Sequence, residues 1–577
     1  MMVAAMIPAM AAFAYDTSVS VEGLQAGDTV KYYQVLDWDQ TNGTWKLAAG
    51  FTSLASDTVN FATDVVADII NGLNQDQANA IAALAADATV KYTDSNIAGT
   101  TSTYTLPATD DAAKLAAVGL YMGVITAGTP KTIYNPVFIG ADFDDTDSTP
   151  HVSVTQTYGD EGIAKKQEIT LTKTTSDANS AVDTAIDSRV GEEVTFYVDT
   201  QIPVFLDSYQ NPSFVIYDNI ETSGINLNAD SIEITLGSGT SAKTYAKTAS
   251  GEKLAYDANI FGVSATAGNA GEYTVTFVPN WLGGNETAVP VHIEYKGTIT
   301  NAATFNVNED DNTVTVTYSN GPGTEKGALK DRTNHYTFSI GAQAFGEDEA
   351  NEKTYELVKV GVDEDGKPVV EKKKVSEWSE KIERHPLANA TFALYPSTDS
   401  TCEGNPIATF TTGDDGIITF KGLDAGQYYI KETAAPSGYI KDDRIVSVKI
   451  DAFYETVTVP AGTDTNGVKY AAYDFKVLDH YTVTINNVSE YDSTGDEYDP
   501  ATDAKVSTYT FENNGKGIST IKTTDTTVND SDLINTKGVE LPSTGGMGTT
   551  ILYIGGSILV LAAAILLITK RRMSAND

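Results

Sequence analysis

Strand-like runs recur along most of the chain between clusters of Gly, Asn, Asp and Pro, and their spacing predicts antiparallel β-sandwiches. Within residues 165–323 such runs fall at 168–172, 193–198, 231–236, 273–278, 289–295 and 314–318. A similar series at 390–395, 417–420, 427–432 and 445–450 occupies residues 324–540. Ser319-Asn320-Gly321-Pro322-Gly323 reads as the linker between the two stretches. Residues 15–164 differ, because strands at 29–36 and 134–143 flank a helical middle that includes 63–84 and 110–120. The expected fold is mainly β, a string of tandem sandwiches whose first member is mixed α/β. An internal echo supports a repeated design: Gly23-Leu24-Gln25-Ala26-Gly27 precedes Tyr32-Tyr33, and Gly422-Leu423-Asp424-Ala425-Gly426 precedes Tyr428-Tyr429.

The two ends carry other patterns. Residues 547–569, MGTTILYIGGSILVLAAAILLIT, form an uncharged run long enough to cross a hydrocarbon layer about 30 Å thick as a transmembrane helix. Lys570, Arg571 and Arg572 follow, which keeps the short tail in the cytoplasm and places everything before the helix outside. Residues 3–13 are apolar, and Ala12-Phe13-Ala14 fits the small-x-small rule of signal peptidase. Residues 1–14 are therefore expected to be a signal peptide, with the mature chain starting near Tyr15. A basic segment ahead of that apolar run is missing, so the signal is read as truncated, with the natural start further upstream.

Composition narrows the chemistry. The 577 residues include 78 Asp plus Glu against 38 Lys plus Arg, a formal net charge of -40, and that field excludes nucleic acid as a partner. A single cysteine, Cys402, excludes an intramolecular disulfide and a site of several zinc thiolates. The five histidines have no ligand-like spacing, so no metal and no cofactor is expected. Asp142, Asp144, Asp145 and Asp147 lack the glycine and terminal glutamate of a calcium loop and read as solvated turns. No nucleophile–base triad or phosphate loop stands out, and the chain is not expected to be an enzyme.

Immediately before the apolar run stands Leu541-Pro542-Ser543-Thr544-Gly545-Gly546. This LPxTG motif, the apolar span and the basic tail, in that order, resemble the cell-wall sorting signal of Gram-positive surface proteins, the substrate of sortase transpeptidases. The resemblance implies cleavage between Thr544 and Gly545 and transfer of the Thr544 acyl group to an amine. Pro542 fixes an extended, kinked backbone, and Gly545 lets a thiol approach the Thr544 carbonyl.

Lys359 lies in Leu357-Val358-Lys359-Val360, where a buried ammonium needs a partner. Downstream, the segment from Gln427 through Glu432 to Tyr439, QYYIKETAAPSGY, resembles the YxLxETxAPxGY box of collagen-adhesin B-type pilin domains. Pro386-Leu387-Ala388-Asn389-Ala390-Thr391-Phe392 resembles the LxGAxF strand of the same modules. The resemblance implies a spontaneous amide (isopeptide) bond between Lys and Asn side chains, with Lys359 as nucleophile, Glu432 as proton shuttle and Asn535 as acceptor. Asn486 and Asn487 are alternative acceptors, because residues 488–532 are longer and more polar than the family pattern. Burial lowers a lysine pKa and raises a glutamate pKa, so such a pair can coexist as neutral amine and neutral acid.

Lys173 in Ile169-Thr170-Leu171-Thr172-Lys173, Asp218 in Val215-Ile216-Tyr217-Asp218-Asn219 and Asn312 at the start of NTVTVTY form a second series. Their order resembles that of pilin shaft domains in which a first-strand Lys joins a last-strand Asn, and it implies Lys173 and Asn312 as the bonded pair. Asp218 is then the promoting acid, with Glu221 as its alternative. Pilins of this family also carry a subunit-linking lysine between the first two domains. Lys166 in Ile163-Ala164-Lys165-Lys166-Gln167 holds that place ahead of Lys165, and Lys131 competes because the usual YPKN-like context is absent.

These resemblances imply tandem Ig-like, collagen-adhesin-type β-sandwiches arranged as 1–14 signal peptide, 15–164 mixed domain, 165–323 isopeptide-forming sandwich, 324–540 collagen-adhesin B-type sandwich and 541–577 sorting signal. The function they imply is that of a shaft subunit in a covalently polymerised fimbrium, secreted, anchored to the cell wall and supporting adhesion and colonisation. Its expected partners are a sortase, further copies of itself, minor pilins, peptidoglycan and host surface ligands. The alternative is a monomeric wall-anchored adhesin or a minor basal or tip pilin.

Overall fold

The computed structural model describes residues 16–143, 153–205, 209, 211–321, 326–341, 357–363, 370–376, 379–384, 386–490, 505–513, 519–521 and 531–538, with isolated positions between 557 and 565. The expected signal peptide and the whole LPSTG motif lie outside these residues. Among the described residues no helix is long and apolar enough to cross a membrane. The chain forms two compact units, one of residues 1–338, 422–424 and 452–480, the other of residues 339–421, 425–451 and 481–577.

In the first unit a four-stranded sheet runs in the order Tyr92–Asp94, Thr29–Gln34, Gly119–Thr126, Val137–Ala141. The expected helix at 63–84 is two helices. Val65–Asn71 starts where the Asp64 side chain accepts from the Ala67 amide, and it stops at Gly72, whose φ of 112° suits a residue without Cβ. Asn74 and Gln77 then form a capping box that starts Gln75–Ala83. The expected helix at 110–120 is the shorter Asp111–Ala117, because Gly119 and Leu120 open a central strand that is apolar and buried along almost its whole length.

The sandwich that follows has two sheets. One is ordered Leu171–Ser176, Glu193–Ile202, Val289–Ile299, Ile225–Leu236, Lys243–Ala246, and the other Phe261–Thr266, Glu272–Phe277, Phe214–Ile220, Asp310–Ser319, Lys326–Tyr336. Alternate residues of Glu193–Ile202 are buried, so Val194, Phe196 and Val198 meet Ile216, Val314 and Val316 in one core. The expected boundary at 323 falls inside this sandwich. Ser319 stands opposite Lys326 and the pairing continues to Asp310 opposite His335, so the glycine-rich segment joins two antiparallel neighbours of one sheet. Residues 452–480, from the middle of the expected third module, also group with this unit: Lys469 and Tyr470 pair with Gly327 and Ala328, and the Tyr454 hydroxyl donates to Asp187.

In the second unit one sheet contains, in order, Leu357–Val362, Ser531–Thr536, the part of Tyr473–Glu490 from residue 481, the part of Ile445–Val459 up to residue 451, Gly426–Ala434, Thr391–Pro396 and Ala408–Thr411. Every residue of Leu357–Val362 is buried, and this strand runs parallel to Ser531–Thr536 with Lys359 opposite Leu533 and Gly361 opposite Asn535.

Candidate functional site

Four strands of the first unit each contribute a polar side chain to one cluster from an inward position. In Leu171–Ser176 the inward residues are Lys173 and Thr175; in Phe214–Ile220 Asp218 shares a face with Ile216 and Ile220. In Asp310–Ser319 Asn312 shares one with Val314 and Val316, and in Val289–Ile299 Tyr295 follows Val291 and Ile293. The two-residue period of a strand fixes this placement, and all four side chains are essentially inaccessible to solvent.

They converge on one point. Lys173 Nζ contacts Asp218 Oδ2 and donates to the Tyr295 hydroxyl at 2.7 Å. That hydroxyl donates to Asp218 Oδ1 at 2.7 Å and accepts from Asn312 Nδ2 at 2.6 Å. Asn312 Oδ1 is buried without a hydrogen-bond partner. The rings of Phe196 and Tyr295 stack with centroids 5.0 Å apart and lie 5.5 Å and 5.2 Å from Lys173 Nζ. Burial pushes the Lys173 pKa down and that of Asp218 up, against their mutual attraction. Both shifts favour neutral amine beside neutral acid, and a fully charged pair here would forfeit several kcal/mol of hydration per ion. The alternative acid Glu221 is exposed.

The second unit repeats the arrangement. Lys359 Nζ lies 3.4 Å from Glu432 Oε2, and Asn535 Nδ2 donates to Glu432 Oε1 at 3.0 Å. The Asp442 amide also donates to Oε2, at 2.7 Å, which orients the carboxyl. The Phe392 ring covers the amine at 5.5 Å, and Asn535 Oδ1 is buried without a hydrogen-bond partner. Burial lowers the Lys359 pKa to about 8 and raises that of Glu432. Of the alternative acceptors, Asn486 donates to Ser447 at 3.0 Å, and the Asn487 side chain lies outside the described residues.

The structure therefore brings Lys173, Asp218 and Asn312 together, and separately Lys359, Glu432 and Asn535. Sequence reasoning missed two residues of the first cluster, Tyr295 and Asp331. Asp331 Oδ2 accepts from the Lys173 backbone amide at 2.7 Å, and burial raises its pKa to about 6. The signal available for Tyr295 was its parity with Val291 and Ile293, which equally describes a core tyrosine. Lys166 is exposed and stands opposite Tyr134 where Lys166–Glu168 pairs with Thr132–Tyr134. Lys131 and Lys165 are exposed too, and the Lys131 carbonyl accepts from the Ile169 amide, so all three lysines belong to one neighbourhood. Leu541, Pro542, Ser543, Thr544 and Gly545 lie outside the described residues.

Comparison with known families matches residues 357–465 to the SpaA domain, a prealbumin-like fold domain, and residues 534–574 to the LPXTG cell wall anchor motif. The chain is thus a cell-wall-anchored surface protein with a prealbumin-like domain, built mainly of tandem β-sandwiches as its sequence led one to expect. It is homologous to the trypsin-resistant surface T6 protein of Streptococcus pyogenes serotype M6, 23% identical over 477 residues, which cover 78% of this chain and 79% of that protein. Its fold is that of the T6 backbone pilin of the same serotype, with a TM-score of 0.53 at 18% identity over 90% of this chain and 98% of that one. The major pilin SpaA of Corynebacterium diphtheriae superposes with a TM-score of 0.41 at 16% identity, over 79% of this chain and 98% of that one.

Proposed function

We propose that this chain is the shaft subunit of a cell-wall-anchored pilus, locked internally by Lys173–Asn312 and Lys359–Asn535 amides and joined to its neighbours by sortase. The observation that carries the reading is that each unit buries a lysine amine and an asparagine carboxamide around one carboxyl group, in a chain that carries LPSTG ahead of its C-terminal apolar run and has no disulfide to resist pulling. In each unit the neutral amine attacks the Asn carboxamide carbon, a C–N bond forms and ammonia leaves. The acid takes a proton from the amine and supplies one to the departing nitrogen. Each such site turns over once, on its own side chains, so the protein is structural.

Between subunits, a sortase thiol takes the Thr544 acyl group with loss of Gly545 and its tail, and the Lys166 amine of the next copy receives it. Repetition gives an open head-to-tail filament. The two compact units act as shaft segments, and minor pilins, peptidoglycan and host ligands meet the filament at its ends and surface. Cell-wall extracts boiled in detergent should give a ladder of high-mass polymers that disappears with Lys166→Arg. A ladder insensitive to Lys166→Arg but abolished by Lys131→Arg moves the linkage to Lys131. A single band from the unaltered protein overturns the pilus reading in favour of a monomeric adhesin.

A further inference from the structure

The two clusters meet the same geometric demand with carboxyl side chains of different length. In the second unit Glu432 reaches both reactants itself, with Oε2 toward Lys359 Nζ and Oε1 accepting from Asn535 Nδ2 at 3.0 Å. In the first unit Asp218 is one methylene shorter. Its Oδ2 meets Lys173 Nζ, but the carboxamide nitrogen of Asn312 hydrogen-bonds to the Tyr295 hydroxyl at 2.6 Å, and that hydroxyl is held on Asp218 Oδ1 at 2.7 Å. The phenol occupies the step between acid and carboxamide that the longer glutamate spans alone.

We propose that Tyr295 is a catalytic residue of the first unit, relaying a proton from Asp218 to the nitrogen that leaves Asn312. The inference rests on the isopeptide reading above. As Lys173 Nζ bonds to the Asn312 carboxamide carbon, one Nζ proton passes to Asp218 Oδ2. Once the carbon is tetrahedral Nδ2 has a free lone pair, so the Tyr295 hydroxyl turns its proton from Oδ1 to Nδ2, and as that proton is given up the Tyr295 oxygen takes the one carried on Oδ1. The C–Nδ2 bond breaks, ammonia departs, and Asp218 and Tyr295 end in the protonation states they began with, so nothing else is consumed. A carboxyl that accepts on one oxygen and donates from the other needs a partner at each, and Tyr295 supplies the second.

The ring is placed for this work. Tyr295 is fully buried, stacked on Phe196 and met edge-on by Tyr273 with centroids 5.0 Å apart in both contacts, so its hydroxyl has little freedom to turn from its three partners. Burial holds its pKa well above the usual phenol range, which suits a group that hands a proton on without resting as a phenolate.

The test follows both cross-links in one molecule. The full chain is made by cell-free synthesis, sampled over time, denatured and digested, and the Lys173–Asn312 and Lys359–Asn535 peptides are quantified by mass spectrometry. Tyr295→Phe keeps the stacked ring and is expected to slow the first cross-link by about 100-fold, the lower end of what a positioned acid contributes. The second cross-link, which has no phenol in its path, should form at the unaltered rate. Adding Asp218→Glu to Tyr295→Phe should restore the first by giving the acid the reach of Glu432. An unaltered rate in Tyr295→Phe overturns the relay, as does a slow rate that Asp218→Glu does not rescue, since either leaves Tyr295 a packing role. Absence of the Lys173–Asn312 peptide from the unaltered chain would instead reject the isopeptide reading of that unit.

Discussion

Lys359 and Asn535 stand on neighbouring parallel strands and touch opposite oxygens of one carboxyl group, that of Glu432. Tension drawn through two such strands shears the whole row of backbone hydrogen bonds between them, and an amide joining the two side chains closes that path. The mature chain should accordingly be lighter than its sequence mass by two ammonias. Glu432→Ala and Asp218→Ala should each restore one of them and the double variant both, as read by intact-mass spectrometry. A full sequence mass in the unaltered protein would reject both bonds.

Removing the bond in the first unit should cost different amounts according to which partner is lost. Asp218→Ala and Lys173→Met both forfeit the cross-link, worth about 4–5 kcal/mol by analogy with a disulfide closing a loop of roughly 100 residues. Asp218→Ala also takes a hydrogen-bond partner from the buried Lys173 amine, and a buried polar group left unsatisfied in this way costs about 1–3 kcal/mol more. Lys173→Met fills the same space with an apolar chain and leaves Asp218 a neutral acid against the Tyr295 and Tyr273 hydroxyls. Calorimetry should therefore find Asp218→Ala the less stable variant, and equal melting temperatures would show that the Tyr295 hydroxyl alone satisfies the amine.

Much of this site was legible in the sequence because strand parity and motif spacing act locally. Lys359 in an apolar run, Glu432 in its box and Asn312 at the head of an alternating strand can each be found without knowledge of their neighbours. Tyr295 could not, because a tyrosine in step with Val291 and Ile293 is the ordinary content of a sandwich core. Its role depends on Asp218 and Asn312, which strand pairing brings from distant parts of the chain. The boundary at 323 was misplaced for a related reason: glycine, proline and asparagine mark a turn between paired strands as readily as a linker between modules, and only the register of Ser319 against Lys326 distinguishes them. The helix at 63–84 was found but not its division, because Gly72 and the Asn74 cap are short signals within a longer helical pattern.

His335, beside the first cluster, should make that unit sensitive to acid. Its Nε2 lies 3.2 Å from Thr175 Oγ1, its Nδ1 has no hydrogen-bond partner, and burial pushes its pKa down to about 3. The folded chain refuses a proton that the unfolded chain accepts near 6.5, so this contribution is present above pH 6.5 and lost as pH falls toward 3, at up to about 1.4 kcal/mol per pH unit. Asp331 opposes it. Burial raises its pKa from 3.8 to about 6, so its contribution is present below 3.8 and lost as pH rises through 6. His335→Phe removes the first term and keeps the second. The variant should gain stability over the unaltered protein as pH falls from about 7 to about 4.5, and a constant difference in melting temperature would refute the assignment.

The pH dependence of cross-linking in the second unit separates two accounts of its chemistry. If Lys359 acted merely as a free amine, the rate would climb as the ammonium loses its proton through about 8 and stay high beyond it. The geometry at Glu432 demands something different, because the carboxyl must carry a proton for the departing nitrogen while the amine carries none of its excess charge. That state, neutral amine beside neutral acid, holds the same number of protons as the ion pair, so its share of the pair does not change with pH while one proton is present between the two groups. Above about 8 that shared proton is lost, leaving amine and carboxylate, so no proton stands ready for the departing nitrogen until the carboxylate has taken one from the attacking amine. The rate should therefore be level near neutrality and fall as pH rises through about 8. Newly synthesised chain, transferred to buffers on either side of that value and sampled for the Lys359–Asn535 peptide, gives the measurement. A rate still rising at high pH would remove Glu432 from the proton path and leave it only the task of holding Asn535 in place.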